Sequence, residues 1–429
     1  MNKHIPAAAA GIVLLGLALS SGAGTAWAAG TAGTRDATFG SGGIVVTNLG
    51  ADPFGNAIQG NVSAAALQSD GDIVVSVVNT ATGDSGLLRY LPNGTRDTTF
   101  GNGGFAAFPA DANPAGGFSP KLAVQSDDKI LAATQGIASN GSGEFALVRF
   151  TANGTLDQGF GNGGVAASML QDSGVQGARD VLVQPDGKIL VGGEALSSTV
   201  EGEFDGGLVR FTANGTLDQG FGIGGQVLVR NDPFTTLGLD ASGDIFTLSV
   251  NPGATTAARL EFSPAGRQDA TVSPAVITAS SRGSLASFLP GGGFVISGEA
   301  FPDGFKDGDL QVSRFNPGGS LASATAPFDW GKTIDPRSDG AGALAIQANG
   351  QALVSEGGFQ GAQKVARYNA DGSFDAGFGT VGVASTKAQD NDSAAVLLTQ
   401  PDGKILAIGS AQNTTTGVVD VLLIRYLAS

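Results

Sequence analysis

Arginine and aspartate recur eight residues apart along this chain, at Arg89/Asp97, Arg149/Asp157, Arg210/Asp218 and Arg367/Asp375. Arg425 and Asp36 form the equivalent pair between its two ends. One chemistry for such a set is a ring of charges around a ligand. Recurrence in nearly every unit favours another: a salt bridge or backbone cap that locks a turn, because a binding site usually breaks the symmetry of a repeat. Asp-Gly pairs such as Asp186-Gly187 and Asp402-Gly403 resemble fragments of calcium loops. Ca²⁺ needs six to eight oxygens, however, and one Asp per turn is too few. Segments that differ between units carry the less regular carboxylates. Asp303, Asp307 and Asp309 lie in a Gly-rich insert, Glu201, Glu203 and Asp205 in a second, and Asp390 with Asp392 in a third. The first insert is the candidate Ca²⁺ site; its plain alternative is a solvated acidic loop. Paired carboxylates about 5–10 Å apart also hydrolyse glycosides. Trp330, in the irregular segment 327–331, is the aromatic residue that repetition does not explain. It is a candidate ligand contact, with a core or rim position as the alternative.

Composition narrows the chemistry further. The 429 residues include no Cys and one His, with a formal net charge of −15. Thiolate metal sites, disulfide scaffolds and Cys nucleophiles are excluded. The single His is His4, inside a segment that reads as a secretory signal over 1–28: Lys3 and His4, an apolar run from Ile5 to Leu19, then Ala26-Trp27-Ala28 as an A-x-A cleavage site. Its removal takes away the commonest general base and zinc ligand. An acidic chain without a basic stripe repels phosphate backbones, so nucleic acid is not an expected partner. No second apolar run is long enough to span a bilayer. The mature chain, 29–429, is expected to be a single exported domain, monomeric, in the periplasm or outside the cell.

The elements that must hold these residues come from repetition. Segments 149–161 and 210–222 are nearly identical, with weaker copies beginning at Arg89, Arg314, Arg367 and Arg425, and Glu261-Phe262 in the corresponding place of a seventh. Between them falls a second signature, as in Val183-Gln-Pro-Asp-Gly-Lys-Ile189 and Thr399-Gln-Pro-Asp-Gly-Lys-Ile405. A third, Phe-Gly-x-Gly-Gly, starts at Phe39, Phe100, Phe160 and Phe221, with a worn copy at Phe378. Asp-Gly between apolar runs is a hairpin signal, and each unit of 50–60 residues reads as four short strands. In the third unit these are 180–183, 188–191, 207–211 and 225–229. Such a unit cannot bury both faces alone, and radial stacking solves this. The expected fold is all-β: a seven-bladed β-propeller of four-stranded blades. The last unit stops after Tyr426 without its fourth strand, while Gly33 to Thr47 repeats the missing part. The N-terminal strand should therefore complete the last blade beside strands near 394–399, 404–409 and 419–426, and close the ring.

At these motifs the chain resembles the delta-60 repeat family of bacterial β-propellers, whose unit runs Q-x-D-G-K-I, then R-[FY]-x-x-x-G-x-x-D, then F-G-x-x-G. The resemblance covers about 31–429. It fades between 231 and 335, where Glu261 replaces the Arg, Val272 the Phe, and Ala322 the Asp. It implies export and the propeller fold, and no reaction or ligand. The favoured function is an exported, non-enzymatic scaffold binding a protein or glycan, with no cofactor unless the inserts take Ca²⁺. Two alternatives stand beside it: a carboxylate-based, glycan-active enzyme, calcium-assisted through the Asp303 insert, and a structural envelope or matrix protein.

Overall fold

The computed structural model describes residues 31–50, 58–78, 85–112, 119–170, 176–197, 203–230, 232–250, 256–269, 275–278, 282–289, 291–300, 309–326, 328, 341–357 and 361–428. The signal-like segment 1–28 lies outside them. Seven four-stranded antiparallel sheets are arranged as the blades of a ring. Their inner strands are Asn61–Leu67, Lys121–Val124, Gln176–Val183, Thr236–Leu239, Arg282–Phe288, Ala341–Ile346 and Asn391–Thr399, in blades 1 to 7.

Blade 3 shows how the repeat builds a sheet. Gln176–Val183 pairs with Ile189–Leu196, that strand with Phe204–Phe211, and the last with Gln226–Val229. The first hairpin turns at Asp186-Gly187, where the Lys188 amide donates to Asp186 Oδ1 at 3.1 Å and Gly187 takes φ 82°. Only a residue without a Cβ enters that region cheaply, so the Asp-Gly pair is a turn device. The strands run further from these turns than the sequence pattern indicates, because their far ends merge with inserts that carry no repeated signature.

Blade 7 is shared between the chain ends. Ile44–Thr47 pairs with Val419–Tyr426, with Ile44 opposite Ile424, and completes the sheet begun by Asn391–Thr399 and Ile405–Gln412. This is the closure expected from the split unit.

Because each blade packs against two neighbours, both faces of its middle strands are apolar and buried. The interior is divided into seven hydrophobic clusters, one per seam. Blade 1 meets blade 2, for example, through Val74, Leu87 and Phe100 against Ile130, Val148 and Phe150. At ~25 cal/mol per Å² of apolar surface removed from water, these seams, more than the sheets themselves, hold the ring together.

Candidate functional site

The recurring Arg, Asp and Phe form one structural lock. At five seams the Arg Nε donates to the Asp of its own blade at 2.7–2.9 Å. The guanidinium lies over the ring of that blade's Phe-Gly motif, 4.2–4.9 Å from its centroid. Nη1 then reaches into the next blade. Arg89 donates to the Ala152 carbonyl at 2.8 Å, Arg149 to Ala213 at 2.6 Å, Arg367 to Ala428 at 2.7 Å and Arg425 to Pro92 at 2.6 Å; Arg210 bonds the Pro264 carbonyl. The amide after the Phe does likewise, as in Gly101 to Asn153 O and Gly161 to Asn214 O. The ring of Phe100 lies against Gly154, where a Cβ would come within 2.6 Å of it. The Asn-Gly-Thr triplets are turn residues of this lock.

Burial alone would raise the carboxyls of Asp36, Asp97, Asp157 and Asp218. Hydrogen bonds from the residue two places on, together with the neighbouring cations, outweigh it and hold all four below the usual 3.8. The repeated charges are committed to architecture, as their symmetry implies.

The seven inner strands enclose a central cavity of about 270 Å³. Five of them carry a β-bulge, at Ser63, Arg179, Ser284, Gly342 and Ala395, a device that re-aims side chains. Aligned on the hairpins, one layer of the wall reads Ala64, Lys121, Asp180, Thr236, Leu285, Ala343 and Val396 from blade 1 to blade 7. The polar residues sit side by side on blades 2 to 4; blades 5 to 7 present an apolar wall.

Asp180 accepts from the Val181 and Leu237 amides at 2.8 Å each and from Thr236 Oγ1 at 3.1 Å, tying blade 3 to blade 4. It lines the cavity, and desolvation by burial pushes its carboxyl up despite these bonds and Lys121. Arg179 Nη2 pairs with Glu194 at 2.5 Å and keeps 42% of its side chain exposed. Lys121 is exposed and forms no ion pair among the described residues. The cavity thus offers cationic donors on one side and hydrocarbon on the other, inside a strongly acidic protein.

The inserts place differently. Asp303, Asp307 and Trp330 lie outside the described residues. Asp309 begins the third strand of blade 5, Asp309–Phe315, opposite Ala300. Asp205 is buried and paired with Arg230 at 2.6 Å. Asp392 accepts the Gln389 amide at 3.0 Å, and Asp390 binds the Thr414 amide and hydroxyl at 2.9 Å. Among the described residues, no three His, Cys, Asp or Glu side chains converge as a metal site. Lys121, Arg179 and Asp180 were not singled out by motif. The signal that finds them is the hairpin alignment itself, in which they are the charged exceptions to a small, apolar column.

Comparisons with known proteins agree with this architecture. The family described as a domain of unknown function (DUF5122) beta-propeller matches residues 68–100, 125–160, 184–221, 357–378 and 400–429. These segments are less than half of the chain and coincide with the hairpin and lock motifs. In these segments the chain is similar to the repeats of that family, whose description carries no function. No curated protein sequence matches. Among solved structures, the polysaccharide lyase Uly1 is similar with a TM-score of 0.52 at 12% identity, over 87% of this chain and 91% of that one. A PL25 ulvan lyase bound to -[GlcA(1-4)Rha3S]- gives 0.47 at 11% identity, over 90% and 95%. At that identity the likeness to Uly1 is one of fold alone. Among the described residues, no helix is long and apolar enough to cross a membrane.

Proposed function

We propose that this is an exported binding module of the delta-60 repeat type, which takes an anionic group of a glycan or protein ligand into the central cavity. The observation that carries the reading is the exposed Lys121, without an ion pair among the described residues, beside Arg179 on adjacent inner strands, where the other blades, Asp180 apart, place uncharged residues. A cation there attracts negative charge against the field of an acidic protein, and the bulge at Arg179 aims a second donor into the same space. The apolar wall of Leu285, Leu344 and Val396 suits the uncharged face of such a ligand. Recognition without turnover fits the locks, which consume the repeated carboxylates.

The test is a screen of charged and neutral oligosaccharides and peptides against the mature protein and the Lys121→Ala/Arg179→Ala variant. Salt-sensitive binding of anionic members that the variant loses supports the reading. Binding confined to neutral members, or unchanged in the variant, refutes it. Release of product from a bound glycan would replace it with the enzymatic reading.

A further inference from the structure

The seam between blades 5 and 6 departs from the lock in a way that leaves a built vacancy. At five seams a buried guanidinium receives a carboxylate on its Nε edge and a phenyl ring on its face. In blade 5, Ala322 stands in place of the Asp and Thr325 in place of the Phe. After its turn the chain runs straight into Leu321–Ala324, which pairs with Ser313–Phe315, so the Phe-Gly excursion is missing. Arg314 is nevertheless retained and only 4% exposed. Its Nη2 donates to the Gly350 carbonyl at 2.6 Å, a different acceptor from the lock position at Ala370. Its buried Nε has no hydrogen-bond partner among the described residues.

A buried, half-satisfied guanidinium is costly unless something completes it. Asp371 is the nearby anion, but its carboxylate is held by the Ser373 amide and hydroxyl at 2.8 and 2.6 Å. The space beside Arg314 is a cavity of about 360 Å³, lined by Gly291, Ala322, Ser323 and Ala370 among others. A second compartment of about 400 Å³ adjoins it, sharing Ser323 and Asp371, and is walled by Tyr368, Phe374 and Phe328. The Tyr368 hydroxyl, in a residue 1% exposed, also lacks a partner among the described residues. Gly372, the counterpart of Gly154, faces the Ser323 hydroxyl where other seams present a phenyl ring. Each compartment is in the size range of small-molecule sites.

We propose that the blade 5–6 seam binds a small arylalkyl carboxylate: its carboxylate pairs with the Arg314 guanidinium where that residue lines the first compartment, and its ring fills the aromatic compartment beside Gly372 and Tyr368. The ligand supplies in trans the carboxylate that Asp supplies within the other blades, and adds a ring in the neighbouring compartment. This site is separate from the central cavity.

The probe is 3-phenylpropionate, titrated calorimetrically into the mature protein with thermal melts in parallel. The expected result is saturable, equimolar binding that raises the melting temperature. Propionate and 3-phenylpropanamide, each lacking one of the two groups, bind at least about tenfold more weakly. Arg314→Gln abolishes binding. Ala322→Asp places an internal carboxylate against the cavity, raising the melting temperature without ligand and lowering affinity at least about tenfold; this variant decides the matter if Arg314→Gln fails to fold. Lys121→Ala leaves binding intact. Absence of binding, binding unchanged in Ala322→Asp, or loss of binding in Lys121→Ala would each overturn the proposal. The last two outcomes leave the reading of the central cavity standing.

Discussion

Replacing Asp36 with Ala removes the carboxylate of the lock that closes the ring. Asp36 and Arg425 are 389 residues apart in sequence and bonded at 2.9 Å, with side chains 5% and 7% exposed. Deleting one partner of a buried ion pair typically costs ~3–5 kcal/mol, because the other charge stays buried without compensation. Arg425 keeps its bond to the Pro92 carbonyl and its place over Phe39, so the low end, ~3 kcal/mol, is expected. Unfolding entropy near ~2 cal/mol/K per residue gives roughly 0.8 kcal/mol/K for a ring of this size, hence a fall of about 4 °C in Tm. Urea titration and calorimetry read the effect, with Asp371→Ala as the solvent-exposed control. In an Arg425→Met background the same Asp36 change should cost markedly less, ~1 kcal/mol, since the buried guanidinium is gone and the other cation on Asp36, Lys404 at 3.4 Å, is partly exposed and can turn to solvent. A shift in the single variant no larger than the control, or full additivity with Arg425→Met, would refute the reasoning that the lock is an energetic unit.

Four further outcomes follow from described contacts. Stability should rise from pH 7 toward mildly acidic conditions. There Asp72, Asp180, Asp232 and Asp392, all raised above 3.8 by burial first of all, regain their protons in the folded state before the unfolded chain does. Stability should then fall below about pH 4, because Asp36, Asp97, Asp157 and Asp218 are held below that value and their contribution disappears as they protonate; melts at stepped pH locate the maximum. Tyr426→Phe should cost about 1–2 kcal/mol in urea titrations, since its hydroxyl bonds Gln363 and Thr386 at 3.1 and 3.0 Å. Tyr368→Phe should be nearly neutral, its hydroxyl having no partner among the described residues. Gly154→Ala should destabilise by ~2 kcal/mol or more, combining a φ of 80° with a methyl group driven into Phe100. Deleting residues 31–48 should leave Val419–Tyr426 an open edge, seen as dye binding and self-association, and a peptide covering those residues should reverse both.

The fold was legible because its determinants are local and repeated. Asp186-Gly187 announces a hairpin through backbone conformation alone, and the split unit of Gly33–Thr47 and Tyr426 announces closure without any contact being known. The structural role of Arg149 with Asp157 was also readable from symmetry, although its reach to Ala213 in the next blade was not, since no sequence pattern encodes a carbonyl acceptor. Lys121 and Asp180 were hidden for the opposite reason: a charged residue within an inner strand has no motif, and its company comes from six other strands distant in sequence. At Ala322 the departure from the pattern was visible. Its consequence, a guanidinium buried with one edge bare, depends on where Arg314 goes once its partner is gone.

The shared blade also sets an order of events. Ile44–Thr47 leaves the ribosome long before Val419–Tyr426, its partner in the sheet, and no other strand of blade 7 lies beside it. Most of the chain must therefore be made while its first strand waits unpaired, and the final step is a loop closure across nearly the full length, the slowest kind of contact to form. Until then the molecule is an open arc with one unfinished blade. A chain broken off before Val419–Tyr426 loses the side chains that this strand gives to the blade 6–7 and blade 7–1 seams together with the partner of its first strand, and never becomes a ring.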